Sequence, residues 1–123
     1  MASLKDQVLQ QIAQDEQKAG RKMVLRRYLA EVNPHLIKAQ GAAAEALREE
    51  NPLDPQMVAA VNLAAALASR VPLCIKNNLQ AAKGAGLSTE QIGAVMAQAQ
   101  FISGMAVLSA SLDGLQAILG PLE

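Results

Sequence analysis

The chain is 123 residues long and sets 11 Lys plus Arg against 11 Asp plus Glu, with one Cys, one His, one Tyr, one Phe and no Trp. The length suits a single domain with a real core, and zero net charge with scattered basic residues excludes a nucleic-acid binder, which needs a basic face to displace phosphate counterions. One Cys and one His exclude an intramolecular disulfide framework and a Cys-rich zinc site, so no metal and no cofactor is expected, and the lone thiol fits a reducing compartment.

Hydrophobic residues make up 51% of the chain and aromatic residues 2%, with 24 Ala and 17 Leu supplying most of the apolar content. Ala and Leu are strong helix formers, and the residues that fill strands are sparse, so the fold class is all-α, a compact multi-helix bundle. A first helix is predicted over about 3–18, with Leu4, Val8, Leu9 and Ile12 at helical spacing and Gly20 closing it. A second covers about 21–32 and is broken by Asn33-Pro34, because the residue before proline is pushed out of the α region. A third follows from Pro34 to about Glu50. Asn51-Pro52-Leu53-Asp54-Pro55 then forms a loop that ends in an N-cap, Asp54, with Pro55 at the first helical position. Helix four, about 55–70, is apolar nearly all round and is expected to be buried on most sides. Pro72 opens helix five, and Gly86 suits the left-handed position after it. Ser88-Thr89-Glu90-Gln91 reads as a capping box that starts helix six, and Gly104 is expected to separate or bend it from a last helix ending at Gly120-Pro121.

The charges are unevenly placed. Residues 1–54 carry sixteen of them, whereas residues 55–123 carry only Arg70, Lys76, Lys83, Glu90, Asp113 and Glu123. So few charges over so long a stretch point to more apolar surface than one copy can cover, hence to an oligomer core or a membrane segment. Gln91 to Leu112 is long enough to span a bilayer. That stretch nevertheless holds Gln91, Gln98, Gln100, Ser103, Ser109 and Ser111, and it lacks aromatic and basic flanks. Lys5, Asp6, Asp15 and Glu16 interrupt any apolar leader. The expectation is a cytoplasmic, obligate homo-oligomer with no membrane span, in which residues 1–54 form the wet exterior.

The single thiol is the first candidate for chemistry. Cys74 lies in the first turn after Pro72, where unpaired N–H groups and the helix dipole favour a thiolate, with Lys76, Asn77, Asn78 and Lys83 close in sequence. The ordinary alternative is a small apolar residue in an Ala-rich helix. His35 reads as a solvated or capping residue. Arg26-Arg27 with Tyr28 reads either as an anion pocket or as a solvated face, and Met57, Met96 and Met105 as core packing.

From Glu31 to about Leu119 the order of features resembles the carboxymuconolactone decarboxylase family, and within it the alkylhydroperoxidase-D-like branch. The resemblance rests on Glu31-Val32-Asn33-Pro34, on Leu53-Asp54-Pro55, on the run Ala68-Ser69-Arg70-Val71-Pro72-Leu73-Cys74-Ile75, on Ala81-Ala82-Lys83-Gly84-Ala85-Gly86 and on the capping box with its Ala-rich helix. It divides the chain into residues 1–20, outside the main resemblance, and a helical domain over 21–123. The branch implies a thiol peroxidase, peroxiredoxin-like, on a helical protomer that assembles as a homotrimer or homohexamer. Its motif has a Glu, then twelve residues later the first Cys of C-x-x-C, and a His four residues after the second. Laid on this sequence, Cys74 matches the second sulfur, while Ala59 stands at the Glu position, Val71 at the first Cys and Asn78 at the His.

Without a thiol at Val71 any oxidised Cys74 needs an external thiol or another subunit, and without the carboxylate and imidazole no general base stands ready. Asn78 can hydrogen-bond but cannot move a proton at neutral pH. The resemblance therefore implies an oxidoreductase fold from which the dithiol cycle is lost, leaving at most a one-cysteine role for Cys74. The alternative is a non-redox oligomer that binds a small molecule or scaffolds, with Cys74 buried and inert and a small apolar pocket around Val71, Leu73, Cys74 and Asn78. The decarboxylases of the family lack the Cys pair, so enzymatic work stays open.

Overall fold

The computed structural model describes residues 2–122, and all regular structure within them is helical. Seven helices follow in order: α1 (Leu4–Ala19), α2 (Val24–Val32), α3 (Pro34–Glu49), α4 (Pro55–Ser69), α5 (Pro72–Gly84), α6 (Thr89–Ala110) and α7 (Leu112–Leu119). They fall into two compact units, Met1–Pro52 with α1–α3 and Leu53–Glu123 with α4–α7.

In the first unit α1 starts where a reciprocal cap forms. Ser3 Oγ accepts the N–H of Asp6 at 3.1 Å, and the Asp6 carboxylate accepts the N–H of Ser3 at 3.3 Å. Gly20, at φ 69°, ends the helix by taking a left-handed turn that a side chain would resist. The second helix begins at Val24 and not at Arg21, because of an interaction that local pattern does not reveal. The Glu16 carboxylate, only 6% exposed, accepts the N–H of Met23 at 2.7 Å and holds Met23 in a non-helical conformation before α2. Asn33 caps α3 through its side chain, with Pro34 as the first helical residue. Val8 and Ile12 from α1, Ala30 from α2 and Ile37 from α3 make the core, closed by Leu4, Leu9, Met23 and Leu29.

This unit is not simply the wet exterior its charges suggested. Val24, Leu25, Tyr28 and Val32 are exposed along one side of α2, at positions that helical spacing aligns.

In the second unit the predicted caps are in place. Asp54 Oδ1 accepts the N–H of Met57 at 2.8 Å, and Ser88 and Gln91 form the reciprocal cap of α6. Gly86 has φ 96°, a backbone state that a side chain would resist, and the Gln56 side-chain amide lies 3.0 Å from where a Cβ would sit. The core sets alanines against larger side chains, with Ala59 and Leu63 from α4, Ala82 from α5 and Leu87 from the turn, and Ile92 and Val95 of α6 against them. The alanines let the helices approach closely.

Two expectations are corrected here. Helix α4 buries one face, through Ala59, Leu63 and Ala66, while Met57 and Val61 on other sides are more than half exposed. An all-round apolar sequence therefore has too few partners within one chain to bury it all round. Gly104 does not interrupt α6, which runs through it to Ala110. The break comes at Ser111, whose hydroxyl donates to the Val107 carbonyl at 3.0 Å and whose N–H bonds Leu108, tightening the last turn. Neither α6 nor α7 contains a buried residue. Thr89–Leu119 is long and apolar enough to cross a membrane by length and composition, and none of its most apolar window is covered within the chain.

Candidate functional site

The residues singled out around the thiol all lie in the second unit, on α4 and α5. Val71 is the N-cap of α5 and has no side-chain hydrogen bond to offer the helix, and Pro72 takes the first helical position. The first-turn N–H groups of α5 thus lack a side-chain cap, and Cys74 stands among them as an exposed free thiol. Within the single chain Cys74 is thus exposed, where the non-redox alternative has it buried. Val71 and Leu73 are exposed as well, at 46% and 55%.

Asn78 is turned to another use. Its side-chain amide donates to the Cys74 carbonyl one helical turn back, at 2.8 Å, so its N–H₂ group serves the backbone of α5. Ala59 lies elsewhere, among Leu63, Ala82 and Leu87 in the core. The structure therefore brings Val71, Cys74 and Asn78 together on the first turns of α5, while Ala59 is a core residue. A carboxylate at that position would face apolar neighbours. Lys83, in the last turn of α5, donates to Thr89 Oγ1 at 3.4 Å.

The remaining candidates resolve differently from either expectation. Arg26 and Arg27 are neither an anion pocket nor a solvated pair. Arg27 pairs with Glu16 through two nitrogens, Nε donating to Oε2 at 2.9 Å and Nη2 to Oε1, and Arg26 Nη1 lies 3.4 Å from Asp15. Both guanidinium groups therefore tie α2 to α1. The Arg27 hydrogen bonds and the Met23 N–H hold the Glu16 carboxyl at about 2, well below its ordinary value, and the same pairing raises Arg27. Lys5 is raised by its hydrogen bond to Glu31. Tyr28 and His35 are exposed. Met57, Met96 and Met105 are surface residues within the chain, not core packing, because the core of this unit is filled by alanines and leucines from α4, α5 and the turn before α6. Among the described residues no group of three or more His, Cys, Asp and Glu side chains is placed to hold a metal ion.

Sequence reasoning passed over a recess on the same unit. Between the end of α4 and the middle of α6 lies a cavity of about 320 Å³, with Leu67, Ala99 and Val107 as apolar walls and Arg70, Gln100 and Ser103 as its polar groups. Arg70 has φ 59°, the one positive φ at a non-glycine among the described residues, a backbone state that its residue type gives no reason to predict.

The all-helical fold is consistent with what the comparison of the sequence with family models finds. Residues 34–117 match the model described as the carboxymuconolactone decarboxylase family, more than half of the chain. The chain belongs to that family. No curated protein and no solved structure matches it. The carboxymuconolactone decarboxylase region starts on the first residue of α3 and ends within α7, so α1 and α2 precede it.

Proposed function

We propose that this carboxymuconolactone decarboxylase family protein is a cytoplasmic homo-oligomer of the alkylhydroperoxidase-D-like branch whose dithiol centre is reduced to one thiol, Cys74. The observation that carries this reading is the exposed Cys74 in the first turn of α5, with Val71 as the N-cap where the branch has its first Cys. A C-x-x-C centre closes a disulfide between those two positions. Here the chain holds a single cysteine, so that step has no second atom.

Cys74 then acts, at most, as a one-cysteine redox group. Its thiolate attacks one oxygen of a hydroperoxide, the O–O bond breaks, sulfur becomes a sulfenic acid, and the other oxygen leaves as the alcohol after taking a proton. An external thiol condenses with the sulfenic acid, releasing water and leaving a mixed disulfide, which a second external thiol reduces. No carboxylate or imidazole at positions 59 and 78 relays the protons, so this turnover is slow beside that of a complete C-x-x-C site.

Self-assembly, as a homotrimer or homohexamer, is supported by the apolar surface of the second unit. Phe101, Ile102, Leu108, Leu112, Ile118 and Leu119 are all more than half exposed on α6 and α7. Patches of this kind on a folded chain mark an interaction surface. The glutamines and serines spread along α6 favour copies of the chain over lipid as the covering, because unpaired polar groups are costly in hydrocarbon. If the thiol is inert, the same oligomer is a small-molecule-binding or scaffolding protein, and the exposure of Cys74 speaks for the redox reading.

Peroxide consumption by the native assembly, measured beside Cys74→Ser with an external thiol present, tests the proposal. Slow consumption that disappears in Cys74→Ser is expected. Equal activity in both removes the thiol from the mechanism, and a rate near that of a complete dithiol site contradicts the loss of the cycle. Solution mass by light scattering, with and without residues 1–20, gives the order of the assembly. A monomer in detergent-free solution overturns the oligomer, and partition into membranes overturns the cytoplasmic reading.

A further inference from the structure

We propose that the recess between the end of α4 and the middle of α6 is a binding site for a small organic carboxylate with a short apolar body, held through Arg70. The site requires neither Cys74 nor the redox reading. Its volume of about 320 Å³ is at the lower end of small-molecule sites, roughly 300–1,000 Å³. Its walls, Leu67, Ala99 and Val107, suit an alkyl group, and Arg70, Gln100 and Ser103 supply its polar lining.

The charge pattern selects the ligand's sign. Arg70 is the sole ionisable side chain lining the recess, and it forms no ion pair among the described residues, unlike Arg26 and Arg27. A guanidinium stays charged at any working pH and presents paired donors that match the two oxygens of a carboxylate. Gln100 and Ser103 add an amide and a hydroxyl for the same group. Part of the Arg70 charge is matched by the negative end of α4, whose C-cap it is, which favours a monoanion over a multiply charged ligand. Apolar walls likewise favour a carboxylate with an alkyl chain over a hydrated inorganic anion.

Backbone geometry at Arg70 points the same way. A left-handed turn after a helix is ordinarily given to glycine or asparagine. Arginine held there at φ 59° is a strained choice, and such positions recur where a side chain is needed at a site.

The same two features supply variants that leave the fold intact. Arg70→Gly removes the guanidinium and relieves the left-handed backbone. Gly104→Leu fills the recess from α6, where an added Cβ meets nothing within 4 Å. Calorimetric titration of the full chain with hexanoate is expected to show saturable binding at millimolar concentration or below, weakened by at least about tenfold in Arg70→Gly and in Gly104→Leu. Hexan-1-ol, which keeps the alkyl chain and loses the charge, and inorganic phosphate, which keeps charge and loses the chain, are each expected to bind more weakly than hexanoate. Hexanoate binding that is absent, unchanged in Arg70→Gly, or equalled by hexan-1-ol or phosphate overturns the proposal. A purely structural role for Arg70 would alter the melting temperature of Arg70→Gly without altering the hexanoate affinity.

Discussion

Residues 2–52 are held by charge as well as by apolar contact, whereas residues 53–122 are held by apolar packing of alanines against leucines without ion pairs. In the first unit Glu16 and Asp15 on α1 take Arg27 and Arg26 from α2, Lys5 takes Glu31, and a core of Val8, Ile12, Ala30 and Ile37 lies beside them. In the second no ion pair occurs among the described residues, and the core is built on Ala59, Leu63, Ala82 and Leu87. The difference teaches where each unit's remaining stability has to come from. The first has directional ties within the chain. The second ends in two helices, α6 and α7, without a single buried residue, so its apolar surface waits for other molecules.

That contrast can be broken most forcefully at α6. Phe101→Glu combined with Leu108→Glu puts two carboxylates on the exposed apolar side of the helix, at positions more than half exposed in the protomer. Light scattering is expected to report loss of the assembly. Hydrogen exchange is expected to show α6 and α7 opening on dilution while α1–α3 do not change. Unchanged mass in the double variant would place the contacts elsewhere.

Truncating each core comes next. Leu63→Ala and Ile12→Ala both remove a side chain that is 0% exposed, and each is expected to cost about 2–5 kcal/mol in denaturant unfolding. If the second unit is covered by copies, the Leu63→Ala loss depends on protein concentration and the Ile12→Ala loss does not.

Acid is the mildest perturbation, and in the first unit it acts through Glu16. Glu16 is held at about 2, below the ordinary carboxylate value, so the folded form prefers it ionised. The stabilisation is fully present above the unfolded value near 4.5 and is lost as pH falls from there toward 2. Melting curves between neutral pH and pH 5 are therefore expected to show little change from this group, with a decline below. Glu16→Gln should lower the melting temperature at neutral pH and flatten that decline. A Glu16→Gln profile that matches wild type at every pH would show that the pair contributes nothing.

Much of the fold could be read from local chemistry. Ser3, Asp54 and Ser88 start helices because their oxygens meet N–H groups three residues on, and Pro34, Pro55 and Pro72 open helices because proline lacks the hydrogen they would otherwise leave unpaired. What local pattern missed was decided at a distance. Helix α2 starts late because Glu16, seven residues back, takes the Met23 N–H. Gly104 stays helical because a glycine within so long a helix costs only about 1 kcal/mol relative to alanine. Around the thiol, spacing placed Val71, Cys74 and Asn78 on one stretch of helix, but not the Asn78 hydrogen bond to the Cys74 carbonyl, and not the recess at Arg70, whose left-handed backbone no sequence rule assigns to arginine.

Ala59 and Val71 differ in a way that bears on how easily a complete thiol centre is rebuilt. Val71 sits on the surface at a helix start, 46% exposed and outside the buried core, so exchanging it for cysteine leaves the core intact. Ala59 is walled in by Leu63, Ala82 and Leu87, and a glutamate there must either carry its charge into an apolar core or push α4 and α5 apart. A thiol at position 71 is thus one substitution away, while an acid at position 59 needs its neighbours cleared first, so a dithiol centre of the proposed kind is open to a two-cysteine variant before it is open to a buried carboxylate.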